Sequence, residues 1–138
     1  AGTGALTRMD IHGRDGVSLT ELWQKDIRST LGLQVHGFPN LFTVAGPLAP
    51  STAFCNMTTC LQQQVDWVMN CITWVRGQGK RTIEPTAAKE DEWVRHHDEV
   101  ANATLVVLTK SWYTGANIEG KHRQFAVLRR RLLVDLLE

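Results

Sequence analysis

The sequence predicts an α/β fold, mostly helical with a few short strands. Three observations carry this. The run NLFTVA, residues 40–45, is made largely of good β-formers and is bounded by Pro39-Asn40 and Gly46-Pro47. It is apolar on both faces, which suits a strand covered on both sides, as in a parallel α/β sheet. Beyond it the apolar spacing becomes helical from Ser51 or Thr52 to Val75, and a second helical stretch follows from Pro85-Thr86 to about Ala103.

In chain order, the first twenty residues are turn-rich. His12-Gly13-Arg14-Asp15-Gly16 reads as a tight turn, across which residues 6–11 and 17–19 can pair as a short hairpin. Ser18, then Thr20-Glu21-Leu22-Trp23, opens a short helix, and residues 33–35 are a brief strand-like run. In the long helix, Leu61, Val65, Val68, Ile72 and Val75 form one apolar stripe, with Cys60, Trp67, Cys71 and Trp74 beside it. Gln62, Gln63, Asp66, Asn70, Thr73 and Arg76 take the other face, so one broad side is expected to be buried. Gly77 and Gly79 supply the stop. In the second helix Trp93, His97, Val100 and Ala101 share a face, and Glu90, Asp91 and Glu92 lie early, where the helix dipole favours acids. Residues 105–108 are apolar, 111–121 are loop-like, and the tail from Phe125 has helical spacing.

The bulk numbers narrow the function. The chain has 138 residues, enough for one ordinary domain. Its net charge of +1 provides no global field to recruit nucleic acid or a membrane surface. No apolar run approaches the ~20 residues of a membrane helix, and no targeting peptide is visible, so a cytoplasmic location is expected. Cys55, Cys60 and Cys71 are odd in number and lack a C-x-x-C pair, which favours three reduced thiols over a disulfide framework or zinc site. The sequons at Asn56 and Asn102 are read as chance matches.

Several motifs invite chemistry. A strand, a Gly-Pro corner and a helix start, GPLAPSTAFCNM at residues 46–57, form a layout that phosphates and flavin edges exploit, because the first helical N–H groups point outward. Gly46 allows close backbone approach, and Pro47 and Pro50 stiffen the loop. The plain alternative is a structural turn. Trp112 and Tyr113 lie in a Gly- and Asn-bearing loop that either covers a ligand or folds onto the core. His96-His97-Asp98-Glu99 has the wrong helical spacing for a metal site, since adjacent residues point about 100° apart. His36 reads as a packed, hydrogen-bonded histidine, and Arg129-Arg130-Arg131 as a solvated face. The chain has no nucleophile elbow, H-E-x-x-H, phosphate loop or G-x-G-x-x-G.

RMDIHGRDGVSL, GLQVHGFPNLF, GPLAPSTAFCNM, QQQVDWV and SWYTGANIEGK, in this order, resemble the C-terminal part of a Baeyer–Villiger monooxygenase over residues 5–121. The resemblance implies a flavoprotein with two Rossmann-like dinucleotide-binding domains, using FAD and NADPH to insert oxygen beside a ketone carbonyl through a flavin peroxide, giving an ester or lactone. It implies that residues 1–36 end the NADP-binding insert and its linker, that 37–121 are the returning half of the FAD domain, and that 122–138 are an atypical tail. By the same resemblance Gly46, Pro47, Pro50, Ser51, Asn56 and Met57 face FAD. Thr52, Ala53 and Phe54 shape the ketone pocket, and Trp112 reaches the NADP.

The departures from that family matter. Both G-x-G-x-x-G turns and the catalytic arginine lie outside the sequence, and Arg14 and Arg28 fall in the wrong segments to replace the latter. No catalytic residue and no metal ligand is expected here. The corner is one residue longer than the family's usual loop, which puts Ser51 to Ala53 in doubt by one position. From about His122 the family pattern ends, as a frameshift or abnormal gene end would make it; DNA in which no single-base change restored a Gly-rich tail would refute that. The expected partners are a ketone, oxygen and the N-terminal half of the same enzyme, with no nucleic acid and no membrane. Two rival readings stand beside this inactive fragment of an enzyme. One is a flavin monooxygenase acting on sulfur or nitrogen. The other is a truncated, non-catalytic α/β remnant or interaction module.

Overall fold

The structure, a computed structural model, describes residues 3–49 and 56–103. The apolar run at 105–108, the loop-like segment at 111–121, the tail and residues 50–55 lie outside the described residues. Three helices organise the rest: α1 (Leu19–Lys25), α2 (Met57–Gly77) and α3 (Ala87–Asn102). Single 3₁₀ turns at Leu6–Arg8 and Arg14–Gly16 precede them.

The helices begin where side chains can satisfy their first amides. Thr86 caps α3 through its hydroxyl, which accepts from the Lys89 N–H at 3.3 Å, and Asn56 caps α2 by accepting from the Thr59 N–H at 3.4 Å. The expected start of the long helix at Ser51 or Thr52 is corrected accordingly: Asn56 holds an extended backbone (φ −64°, ψ 123°), and α2 starts at Met57. Its end is the expected glycine stop. Gly79, at φ 65°, turns the chain, and the N–H groups of Gly79 and Lys80 donate back to the carbonyls of Arg76 and Val75 at 3.0 Å each.

Two apolar clusters form the core. Leu19 and Trp23 of α1 pack with Val35 and Phe38, flanked by Leu6, Ile11, Leu22 and Leu41. Trp93 and Val94 of α3 pack on Leu48, flanked by Ile27, Leu31 and Val100. The expected α3 face is therefore buried, with His97 and Ala101 included. Each buried side chain of this size contributes about 1.5–3 kcal/mol. Both buried indoles also find an acceptor, Trp23 at the Arg28 carbonyl (3.0 Å) and Trp93 at the Leu48 carbonyl (3.3 Å).

The α2 stripe is a second correction. Cys60, Gln64 and Val75 are buried, while Val65 is 42% exposed, Met69 56% and Trp74 60%. The apolar arc of this helix is wider than the surface that covers it, so only the centre is buried. The cysteine expectation also changes: Cys60 is in a disulfide, and Cys71 is a free thiol.

The strand expected at residues 41–45 is a third correction, for no strand forms among the described residues. Only isolated antiparallel bridges occur, His12 with Ser18 and Thr30 with Gln34. The first closes the turn of the expected hairpin, whose arms do not form, since residues 6–8 are a 3₁₀ turn and Leu19 begins α1; the second stands where residues 33–35 read as a strand. A lone extended segment has no ladder to join, and the run at 41–45 is held instead by Thr43, whose N–H donates to the Leu33 carbonyl (2.8 Å) and whose hydroxyl donates to the Gly32 carbonyl (2.9 Å). The run then turns at Ala45, φ 53°.

Candidate functional site

The corner after this run is the most constrained stretch of backbone described. Ala49 N–H donates to the Gly46 carbonyl at 3.2 Å, closing a four-residue turn with Pro47 at its second position. Leu48 at the third has φ 63°, as the type II turn requires, although glycine is the usual occupant. Ala45 and Leu48 both sit in the left-handed region, at about 1–3 kcal/mol each, so the surroundings must hold them there.

Three side chains from distant segments supply that hold. Ser29 Oγ donates to the Pro47 carbonyl at 2.7 Å. Trp93 Nε1 donates to the Leu48 carbonyl. Gln64 Oε1, from the buried centre of α2, accepts from the Ala45 N–H at 2.7 Å. Behind the turn the chains touch closely. A Cβ on Gly46 would lie 2.5 Å from both the Gly32 carbonyl oxygen and the Thr43 hydroxyl, and a Cβ on Gly32 would lie 2.3 Å from Ala49 Cα. The absence of a side chain at Gly46 thus serves internal packing.

On its other side the corner leaves one donor within reach. The N–H groups of Gly46 and Leu48 have no acceptor among the described residues, but Leu48 is fully buried, so only the half-buried Gly46 can present its N–H to another molecule. Of the sequence-derived site residues, Gly46 and Pro47 belong to this turn, Pro47 being buried. Asn56 is exposed, its side-chain oxygen used by the α2 cap, and Met57 begins α2 with 45% exposure. Pro50, Ser51, Thr52, Ala53, Phe54 and Trp112 lie outside the described residues.

Two carboxylates, Glu84 just before α3 and Glu90 in its first turn, fasten the neighbouring loop at residues 36–37. Glu90, almost wholly buried, accepts from the His36 N–H through Oε1 (2.9 Å) and from Arg28 Nε through Oε2 (3.3 Å). Glu84 pairs with Arg14 and accepts from the Gly37 N–H at 3.2 Å. Burial works against the Arg28 charge, but the hydrogen bond to Glu90 and the charges of Glu90, Asp91 and Asp26 outweigh it and raise its pKa. Both arginines of the expected wrong segments are thus committed to ion pairs. His36 is exposed, and its Nδ1–H donates to the Pro85 carbonyl at 3.0 Å. No group of side chains among the described residues could hold a metal ion. No helix among them is long and apolar enough to cross a membrane.

Sequence reasoning missed Ser29, Gln64, Glu84 and Trp93 as supports of this region, and gave Glu90 only a dipole role. Gln64 carried a signal, because it is a polar residue at the centre of an apolar arc; the others are joined to their partners only by the fold.

No protein-family model matches the chain. Whole proteins do. It is 60% identical over 124 residues to the acetone monooxygenase (methyl acetate-forming) of Gordonia sp. (strain TY-5), covering 90% of this chain and 23% of that protein. It is 37% identical to the phenazine N-monooxygenase of Lysobacter antibioticus and 36% identical to a Baeyer–Villiger monooxygenase of Pseudooceanicola batsensis, each over 118 residues, 86% of this chain and 21% of the relative. Among solved structures, the fold matches cyclohexanone monooxygenase from Rhodococcus sp. Phi1 bound to NADP+ with a TM-score of 0.85 at 35% identity. It also matches a complex of OTEMO with FAD and NADP at 0.82 and 35%. In both cases the match covers 92% of this chain and 23% of the other. By sequence and by fold, this chain is a relative of the Baeyer–Villiger flavoprotein monooxygenases and spans less than a quarter of the length of each of these.

Proposed function

We propose that the chain forms part of an FAD- and NADPH-dependent monooxygenase that inserts an oxygen atom beside a ketone carbonyl, giving an ester or lactone, and that it is inactive alone. The observation that carries this is the 60% identity to an acetone monooxygenase over 90% of the chain. In this reading residues 1–36 close the NADP-binding insert, 37–121 are the returning half of the FAD domain of a two-dinucleotide-domain enzyme, and 122–138 are an atypical tail.

The corner suits a flavin. Its Gly46 N–H can donate to the electron-rich edge of an oxidised or anionic ring, and the turn is already held in place, so little ordering entropy is lost on binding. FAD and NADPH, when bound, supply the reducing equivalents and the activation of oxygen. The chain's own residues bind and enclose. Gly46, Pro47, Pro50, Ser51, Asn56 and Met57 border the flavin, Thr52, Ala53 and Phe54 shape the ketone pocket, and Trp112 closes over NADP and excludes water.

The test is product analysis with labelled oxygen. The chain, supplied together with the remaining three-quarters of a related monooxygenase, should convert acetone to methyl acetate carrying one labelled atom. The chain alone should convert nothing. Absence of labelled ester from an assembled, flavin-loaded complex would sink the reading.

A second reading, oxygenation of nitrogen, is favoured by the 37% identity to a phenazine N-monooxygenase. It is distinguished in the same assay by an N-oxide from an aromatic N-heterocycle with no ester from ketones. If the chain folds as a defined monomer and shows no flavin affinity even with its complement, a non-catalytic module is the correct description.

A further inference from the structure

We propose that a cleft at the C-terminal end of α2, separate from the corner, binds an amphiphilic organic anion: a carboxylate on an apolar body. The cleft holds about 400 Å³ and shares no lining residue with the turn at residues 46–49. Its apolar lining is Phe42, Ile72, Val75 and Ile83. Phe42 is set edge-on against Trp67, with ring centroids 6.5 Å apart, so its ring is buttressed from α2.

Asn40 clasps the lining segments together. Its backbone N–H donates to the Ile83 carbonyl (2.9 Å), its side-chain oxygen accepts from the Ile83 N–H (3.1 Å), and its side-chain nitrogen donates to the Arg81 carbonyl (3.2 Å). The glycine turn after α2 brings Lys80 and Arg81 back alongside this clasp.

Three cations, Arg76, Lys80 and Arg81, line the cleft. Among the described residues none of the three has a carboxylate partner, whereas Arg14 and Arg28 are both paired. The α2 dipole places roughly half a negative charge at the helix end, which offsets part of one cation and leaves an excess of about 2.5 positive charges. An apolar wall with an uncompensated cationic rim complements a molecule that is greasy along its length and anionic at one end, and the low-dielectric wall strengthens the pairing. Inorganic anions would leave the apolar wall unused, and neutral alkanes the cations.

The test titrates the 138-residue chain carrying Met69→Lys and Trp74→Lys, two exposed positions outside the cleft chosen to keep it monomeric, at low salt with octanoate, octylammonium and acetate, reading backbone amide shifts by heteronuclear NMR. Octanoate should saturate and move the amides of Phe42, Val75, Lys80, Arg81 and Ile83. Acetate, with charge but no body, and octylammonium, with body but the wrong charge, should not saturate over the same range. Arg81→Glu should weaken octanoate by about tenfold, and Arg76→Gln and Lys80→Gln by about threefold each, the scale of exposed ion pairs. Should Arg81→Glu fail to fold by circular dichroism, the two glutamine variants decide alone. Equal binding of octylammonium, unchanged octanoate affinity in the variants, or shifts centred on another region would each overturn the proposal. No flavin takes part in the readout, so the outcome is independent of the oxygenase reading.

Discussion

Glu90 shows how much one side chain carries here. Its two oxygens accept from a loop amide and from a guanidinium, and it sits in the first turn of α3, where the macrodipole favours a negative charge. Glu90→Ala leaves Arg28 half-buried without this partner and the His36 N–H without an acceptor, and should cost about 3 kcal/mol. Glu90→Gln keeps an acceptor and should cost clearly less. The midpoint of urea unfolding, at constant slope, measures both. Cys71 gives a pH prediction. Burial raises the pKa of its thiol, so the folded state prefers the protonated form. Its contribution to stability is complete below the unfolded-state pKa and is lost as pH rises through the higher folded one. Alkylation of Cys71 in the native chain should therefore lag behind that of the urea-unfolded chain between pH 8 and 9; equal rates would contradict it.

Helices were the legible elements. Their apolar period, the early Thr86 and the glycines after Val75 are all local signals, and α1, α3 and the end of α2 fall where those signals stand. The corner was legible as a corner, from Gly46-Pro47 alone. What fastens it was not, because Ser29 and Trp93 reach it from 18 and 45 residues away and carry no mark of that role in their own neighbourhoods. The strand at 41–45 failed for a related reason: strand character belongs to a pair of neighbours, and residue type records only half of the pair. Gln64 joins the α2 element to the corner. Gln64→Leu preserves the bulk but strands the Ala45 N–H, and should destabilise by about 1–3 kcal/mol. If the flavin-facing reading holds, it should also weaken FAD binding in the assembled enzyme more than an α2 surface change such as Gln62→Leu. Calorimetry on the two variants separates loss of fold from loss of the corner.

For the whole molecule, the uncovered flanks of α2 set solution behaviour. Met69 and Trp74 are more than half exposed on opposite edges of the same helix, with Val65 close behind. Exposed apolar surface of this extent favours association. The isolated chain is expected to self-associate at micromolar concentration and to melt over a broad range, with Trp74 accessible to an aqueous quencher. Met69→Lys with Trp74→Lys should shift sedimentation towards the monomer. A sharp cooperative melt of a monomeric wild-type chain would contradict this expectation.

The bonds from Glu84 and Glu90 to Gly37, His36, Arg28 and Arg14 span 47, 54, 62 and 70 residues. A chain emerging from the ribosome at about 5–20 residues per second makes the first core cluster several seconds before it makes the carboxylates that lock the neighbouring loop. During that interval residues 36 and 37 have two open amides, Arg14 lacks Glu84, and Arg28 lacks Glu90 and Asp91. Closing these contacts last makes the N-terminal third dependent on α3 for its final shape. It also makes the interval before α3 appears the time at which this chain is most open to a chaperone or a protease.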